Sequence, residues 1–227
     1  MEKLLFLGGS DIQIPGIEYA KSLGYYVITC DYLPDNPGHK VSDKYYDIST
    51  TDLEGVLEIA QREKIDGITA YASDPAALTA SYVAEKMGLP GNLFESTLIL
   101  SNKDSFRKFM KEKGYKHPNF ANVANVDEVK NFITKYGKSI IKPVDSSGSK
   151  GICIVDGESD IDAIFEEAKK YTRNGRVLIE KFIKRKGRQI CGDVVVVDRD
   201  WETTGSIICD HFAVSIYGNI QPQVFPK

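Results

Sequence analysis

A regular alternation of short apolar runs with amphipathic segments over the first ninety residues limits the fold more than any other feature. An apolar run at residues 4–7 ends at Gly8 and Gly9 and predicts a buried strand. Proline, aspartate and glycine signals bound the segments that follow, with a loop around residues 34–38. They predict further strands at residues 27–30 and 67–71, and helices at 15–23, 52–64 and 74–87. Repeated strand–helix units of this length predict a parallel sheet with right-handed crossovers, covered by helices.

The pattern changes character after a predicted helix at residues 102–114. Strands are predicted at residues 139–142, 152–155 and 177–182, with a loop at 146–151 and a helix at 158–171. Residues 190–197 and 206–214 predict two antiparallel strands. We therefore predict an α/β chain with three parts: a parallel-sheet domain (1–95), a linker helix (96–114) and an α+β domain (115–227).

Composition and charge exclude several classes of function. The net charge of −3 gives no global positive field for nucleic acid or anionic lipid. No apolar run reaches the roughly 18 residues of a membrane helix, and the apolar start is too short for a signal peptide. The cysteines lack Cys-x-x-Cys spacing and the histidines are scattered, which disfavours a zinc site or a disulfide framework. These patterns predict a cytoplasmic protein with reduced thiols.

The segment from Lys142 to Gly151, Lys-Pro-Val-Asp-Ser-Ser-Gly-Ser-Lys-Gly, is the most informative about chemistry. Small residues let backbone N–H groups converge on phosphate oxygens, and glycine permits the dihedral angles that this requires. Lys142, at the end of a strand, adds a positive charge. The candidate phosphate-binding residues of the loop are Ser146, Ser147, Gly148, Ser149 and Gly151. A plain hairpin loop with a solvated lysine has the same pattern, and the Walker motif is absent.

Two further segments contain candidate ligand-binding residues. In Leu-Ile-Glu-Lys-Phe-Ile (178–183), Glu180 interrupts an apolar strand. Glu180 could accept from an amino or hydroxyl group of a purine nucleotide, while backbone groups bind the base edge and Phe182 packs. An edge strand with two exposed charges is the alternative interpretation, and it is favoured when this segment is taken alone. Lys103 lies at a helix start, where anionic ligands are favoured, although an ordinary surface lysine also fits there.

The order and spacing of the three segments resemble the ATP-grasp superfamily, whose familiar members include biotin carboxylase and the large subunit of carbamoyl phosphate synthetase. About forty residues separate Lys103 from Lys142, and about forty more separate Lys142 from Glu180. Residues 7–10, 24–28 and 65–68 look like the domain that precedes ATP-grasp in this superfamily. The resemblance covers nearly all of residues 1–198. It implies a Rossmann-like pre-ATP-grasp domain followed by an ATP-grasp domain that is incomplete at its C-terminus.

The resemblance implies a role for each matching residue. Lys103 and Lys142 would contact the phosphates of ATP, and residues 145–151 would form a lid over the β- and γ-phosphates. Adenine would be held by Glu180 and by the backbone of Lys181 and Ile183. Farther on, residues 187–193 resemble a Gly-x-Glu-x-x-x-Asp pattern in which Gln189 replaces the usual acid. Gln189 could still make the polar contact with the ligand, whereas any role that needs charge stays open.

The magnesium ligands of the superfamily have no counterpart in this sequence. They are a Glu and a Glu-x-Asn beyond the hinge strand, whereas Glu202 is the one glutamate after Glu180 and no Glu-x-Asn follows. We therefore assign no metal ligand and expect the Mg²⁺ ligands beyond Lys227, in a longer parent enzyme. Because phosphoryl transfer needs these ions, we expect the 227 residues to be inactive by themselves.

The activity implied by the resemblance is that of an ATP-dependent ligase acting through an acyl phosphate. Its partners would be a small-molecule carboxylate and a nucleophile, with no nucleic acid or membrane; many relatives are dimers, so a homodimer stays open. A non-catalytic nucleotide-binding module is the first alternative. The second is a dinucleotide-dependent oxidoreductase, suggested by Gly8, Gly9 and Asp31. Against the second, Ser10 and Gln13 occupy the positions where its fingerprint requires glycine.

Overall fold

The computed structural model describes residues 1–184 and the backbone of residues 189–191, 209–211 and 222–223. The chain divides into two compact units, Met1–Phe182 and Ile183–Lys227. The first unit contains two sheets with their helices. The division into domains at residues 95 and 115 stays a prediction.

The first sheet is parallel, as the sequence predicts. Its strands are β1 (Lys3–Leu7), β2 (Tyr26–Asp31), β3 (Lys44–Asp47) and β4 (Gly67–Thr69), in the order β3-β2-β1-β4. The central strands are apolar and their residues Leu5, Leu7, Ile28 and Cys30 lie fully buried in the core. β3 is not predicted from the sequence, because this edge strand exposes most of its side chains and has no apolar run.

Four helices connect and cover this sheet: α1 (Ile14–Ser22), α2 (Pro37–Val41), α3 (Leu53–Glu63) and α4 (Asp74–Met87). The Asp52 side chain accepts from the amide of Gly55 at the start of α3, and Gly88 ends α4 in a left-handed conformation. The loop predicted over residues 34–38 is wrong at its end, where Pro37 opens α2. Proline suits a first helical position because its ring already fixes φ.

Two helices follow where one linker helix is predicted. They are α5 (Phe94–Ser101) and α6 (Lys103–Glu112), and they meet at Asn102, whose backbone is extended. The Nδ2 atom of Asn102 donates to the carbonyl of Leu98 at 2.9 Å. This bond gives a partner to one of the last carbonyls of α5, which have none within the helix. α6 then begins at Lys103, so that lysine lies in the first turn of a new helix.

The second sheet is antiparallel and contains β5 (Phe120–Val123), β6 (Ser139–Pro143), β7 (Cys153–Val155) and β8 (Val177–Lys181), in the order β5-β8-β6-β7. Helices α7 (Val126–Tyr136) and α8 (Ile161–Lys170) pack on one face through a core that includes Val129, Ile141, Phe165 and Ile179. β5 and α7 are elements that sequence analysis did not identify. Because side chains alternate along a strand, Leu178 and Glu180 point to the other face.

The second unit contains β9 (Gln189–Cys191), β10 (Cys209–His211) and β11 (Pro222–Gln223), in the order β11-β10-β9. β9 and β10 are antiparallel, with Cys209 opposite Cys191, which confirms the predicted pairing. The rest of the predicted strands, at 192–197, 206–208 and 212–214, lies outside the described residues. Within the described part of the chain, no helix has the length and apolarity to cross a bilayer.

Candidate functional site

The register of the second sheet brings together two predicted site residues that are distant in sequence. Lys142 of β6 lies opposite Leu178 of β8, and Glu180 lies opposite Ile140. Lys142 and Glu180 are therefore diagonal neighbours on the face that α7 and α8 leave uncovered. The Nζ atom of Lys142 lies 2.6 Å from Oε2 of Glu180, a charge-assisted hydrogen bond.

Helix α6 brings two more cations to the same place. The Nε atom of Arg107 donates to Oε1 of Glu180 at 2.6 Å, so that both carboxylate oxygens are paired. Lys103 lies one helical turn before Arg107, on the same side of α6. We call Lys103, Arg107, Lys142 and Glu180 the cationic cluster; its three cations and one anion carry a net charge of +2.

Burial perturbs both Glu180 and Lys103. The Glu180 side chain is only 4% exposed, and this burial by itself would raise the pKa of the carboxyl. Hydrogen bonds from Lys142 and Arg107 more than offset burial, so the pKa of Glu180 is lowered and the group is ionised. Burial, and then repulsion from Lys142, lowers the pKa of Lys103. An anion placed beside Lys103 and Lys142 would relieve that repulsion.

Lys103 also connects α6 to the small-residue loop. Its amide donates to the carbonyl of Val144 at 3.1 Å, and its Nζ atom donates to the carbonyl of Ser146 at 2.5 Å. The loop is fastened at Asp145, whose carboxylate accepts from the amide of Arg173 at 3.1 and 3.2 Å.

The middle of the loop is exposed and its backbone is left-handed at two consecutive residues, Gly148 and Ser149. The loop ends at Gly151, which is also left-handed and lies against Pro143 and Tyr171. Fixed ends and an exposed middle rich in small residues suit a loop that folds over an anionic ligand.

The end of β8 holds the remaining predicted residues. The amide of Lys181 donates to the carbonyl of Asn119 at 2.9 Å, and that of Phe182 donates to the carbonyl of Lys138 at 3.0 Å. Both amides are therefore used inside the first unit, and the ring of Phe182 lies 5.8 Å from the ammonium of Lys138. Ile183 is exposed and belongs to the second unit. The predicted contact of Gln189 falls on a side chain outside the described residues.

Two parts of the arrangement were not identified from the sequence. Arg107 could have been suggested by its position four residues after Lys103 in an amphipathic helix. The buried carboxylate of Asp104 accepts from Nη1 of Arg176 at 2.7 Å and from Nδ2 of Asn122 at 3.1 Å. These bonds fasten the first turn of α6 to β5 and to the residue before β8, and thereby hold Lys103 and Arg107 in place.

The carboxyl end of the first sheet does not have the geometry of a dinucleotide fingerprint. Asp31 accepts from the amides of Gly9 at 3.2 Å and Leu33 at 3.1 Å, so its carboxylate supports two loops. Gln13 stands where the fingerprint needs a glycine; its side chain accepts from the amide of Ser10 and donates to the carbonyl of Tyr71. The amides of Gly9 and Ser10, which a dinucleotide fingerprint would offer to a pyrophosphate, therefore already donate to side chains of the turn.

The described residues do not offer a magnesium site at the cationic cluster. Glu180 is its one acid, and both of its oxygens are already paired with cations. Across the described part of the chain, no three His, Cys, Asp or Glu side chains come close enough together to hold a metal ion.

Comparison with known proteins identifies relatives of this chain. A family described as TupA-like ATPgrasp matches residues 91–205. The chain is 30% identical over 188 residues to formate-dependent phosphoribosylglycinamide formyltransferase of Methanocaldococcus jannaschii, covering 80% of this chain and 48% of that protein. It is 27% identical over 223 residues to the carbamoyl phosphate synthase large chain of Thermotoga petrophila, covering 91% of this chain and 20% of that protein. The chain thus spans about half, or less, of the length of these relatives.

A solved structure shares the fold. N5-carboxyaminoimidazole synthetase from Staphylococcus aureus, complexed with ADP, superposes with a TM-score of 0.65 at 19% identity. The match covers 83% of this chain and 48% of that one. It confirms the predicted fold class, a parallel-sheet domain followed by an α+β domain of the ATP-grasp type.

Proposed function

Because the chain belongs to the TupA-like ATP-grasp family, we propose that its cationic cluster and residues 145–151 bind the polyphosphate of ATP. The observation that carries this proposal is the convergence of Arg107 and Lys142, from two separate elements, on one buried carboxylate, with Lys103 bonded to the glycine-containing loop beside them. A net charge of +2 on a half-buried surface favours a multiply charged anion.

Nucleotide binding would exchange the present partner of Lys103 for a stronger one. Its ammonium now donates to the neutral carbonyl of Ser146. A phosphate oxygen carries a negative charge and the carbonyl oxygen does not, so the phosphate adds a Coulomb attraction and competes well for this donor. Released from Lys103, the loop at Ser146, Ser147, Gly148 and Ser149 is free to bring its amides over the phosphates.

The adenine would lie at the end of β8. Since the amide of Lys181 already donates to Asn119, the backbone group that Lys181 offers a base is its carbonyl. The family resemblance adds the backbone of Ile183 as the other contact. Glu180 keeps a role because each carboxylate oxygen can accept a second hydrogen bond, from an adenine amino group or a ribose hydroxyl.

The activity that we propose for the whole protein is ATP-dependent ligation of a small carboxylate to a nucleophile through an acyl phosphate. Mg²⁺ would neutralise the charge that develops between the nucleotide and the acceptor. In this proposal, the described residues bind the polyphosphate and orient it over the sheet. In the M. jannaschii formyltransferase and the T. petrophila synthase, more than half of the protein lies outside the matched region, so the acceptor stays open.

Substitution of Lys142 tests the phosphate assignment. We expect Lys142→Ala to weaken ATP binding about 10- to 100-fold, the effect of removing one charge-assisted hydrogen bond. Isothermal titration calorimetry at low salt measures it, and far-UV circular dichroism checks the fold. Lys170→Ala is the charge-matched control, because Lys170 is 70% exposed and lies on α8, across the sheet. Equal ATP affinity of the wild type and Lys142→Ala would contradict the proposal.

Phosphate release separates the two functions that the sequence leaves open. The full chain is incubated with ATP, Mg²⁺ and mixtures of small carboxylates and amines, and inorganic phosphate is measured. ATP binding with turnover fits a ligase and contradicts the expectation that these residues are inactive by themselves. ATP binding without turnover fits that expectation and the non-catalytic module alike, so the same assay is then run on the longest form of the protein.

A further inference from the structure

We propose that Arg107 is a positioning residue of the ATP site, which neutralises Glu180 so that the charge of Lys142 stays available to the polyphosphate. This inference rests on the proposed function. It assigns a task to a side chain that need not contact the nucleotide itself. The charges of the cluster, the burial of Glu180 and the contacts that hold the guanidinium support this role.

Without Arg107, the negative charge of Glu180 would cancel the positive charge of Lys142. The carboxylate of Glu180 is almost completely buried, and its Oε2 atom lies 2.6 Å from the ammonium of Lys142. A pair at this distance has no net charge, so Lys142 by itself would offer a polyphosphate little more than a dipole. Arg107 binds the other oxygen at 2.6 Å and brings the three groups to a net charge of +1. With Lys103, the cluster then presents +2 instead of +1.

The guanidinium of Arg107 is held from more than one side. Its Nε atom donates to Glu180, and its Nη1 atom lies 3.4 Å from the sulfur of Met110. Its Cζ atom lies 5.7 Å from the centre of the Phe106 ring. The α6 helix beneath it is fastened by the bonds of Asp104 described above. Arg107 is therefore oriented before any ligand arrives, and an arginine stays charged at every ordinary pH.

Charge rescue distinguishes this role from a merely structural one. If Arg107 acts by cancelling the charge of Glu180, then Arg107→Gln lowers polyphosphate affinity and Glu180→Gln in the same chain restores it. The double variant leaves Lys142 unpaired with a charge of +1, the same net charge as the wild-type trio. If Arg107 only stabilises the fold, a second substitution in the same buried group gives no recovery.

The experiment is calorimetric titration of the full chain with ATP and, separately, with inorganic tripolyphosphate. Tripolyphosphate has no base or ribose, so a contact of Glu180 with adenosine does not affect it. We expect Arg107→Gln to bind both ligands about tenfold more weakly, the usual effect of one partly exposed cation, and the double variant to bind tripolyphosphate within about threefold of wild type. Lys108→Gln, on the same helix and 76% exposed, is the matched control; it should bind like wild type.

Failure of the inference is distinguishable from failure of the proposed function. Wild-type protein that binds neither ligand overturns both. Wild-type binding that is lost in Lys142→Ala but unchanged in Arg107→Gln overturns the role of Arg107 alone, and so does a folded double variant without recovery. If Arg107→Gln does not fold, Glu180→Gln decides: tighter tripolyphosphate binding supports the inference, and unchanged or weaker binding overturns it.

Discussion

Two glycines in the proposed phosphate loop allow two effects of a substitution on stability to be separated: the steric clash of a new side chain, and the strain of a left-handed backbone. Gly148 and Gly151 have nearly the same left-handed conformation, with φ of +66° and +69°. A Cβ atom on Gly148 would meet no atom within 4 Å, whereas one on Gly151 would lie 2.8 Å from Cγ of Pro143 and 2.8 Å from Cδ2 of Tyr171. Alanine in a left-handed conformation costs about 1 kcal/mol, and overpacking adds about 1–3 kcal/mol. We expect the free energy of unfolding to fall by about 1 kcal/mol in Gly148→Ala and about 2–4 kcal/mol in Gly151→Ala.

Urea unfolding followed by far-UV circular dichroism measures the difference between the two variants. With a urea dependence of about 2 kcal/mol per M, the midpoint should fall by about 0.5 M in Gly148→Ala and about 1–2 M in Gly151→Ala. Midpoints that agree within about 0.25 M would show that the ring of Tyr171 and Pro143 move aside without cost. The steric argument would then be wrong, and the loop would end less rigidly than the distances indicate.

Two further predictions concern charged groups that hold the first unit together. The Glu63 carboxylate accepts a hydrogen bond from the ammonium of Lys44 at 2.7 Å, and this bond lowers the pKa of Glu63 from 4.5 to about 2. The ionised carboxylate therefore stabilises the fold fully above pH 4.5, and this stabilisation is lost as the pH falls towards 2. We therefore expect the unfolding free energy of Glu63→Gln to fall less steeply than that of wild type across this range in urea titrations. Asp104→Asn should lower the unfolding free energy by about 2 kcal/mol, because the half-exposed Arg176 loses its charged partner. The exposed Asp162→Asn should change it by less than about 0.5 kcal/mol, and equal effects at both sites would refute this assignment.

The elements predicted correctly from the sequence are those whose local signals agree with their burial. The run at residues 4–7 forms the buried strand β1, Asp52 caps α3, and Gly88 ends α4. β3 was not predicted because an exposed edge strand needs no alternation of apolar and polar residues. The short helix α2 was not predicted because proline and glycine favour a turn as much as the start of a helix.

The candidate site could be proposed from the sequence as a list of residues, but its arrangement could not. Lys142 and Glu180 are neighbours because of the register between β6 and β8, and register depends on loops and packing that a single sequence does not encode locally. The role of Arg107 depends on that register in turn. Its spacing from Lys103 places both on one side of α6, but only the fold puts Glu180 opposite that side.

A buried acid inside a site proposed for an anion needs a physical reason, and the cluster supplies one. Three cations gathered on one surface repel each other, and repulsion from Lys142 adds to burial in lowering the pKa of Lys103. Glu180 is a fixed counter-ion that lets Lys142 and Arg107 occupy their places before a nucleotide arrives. Its charge weakens the attraction for polyphosphate, but side chains already held in place need little reorganisation on binding. In the proposed site, Glu180 therefore lowers the affinity for polyphosphate but holds the cations in the geometry that binding needs. We expect Glu180→Gln to have the opposite effects: tighter polyphosphate binding and a less stable fold.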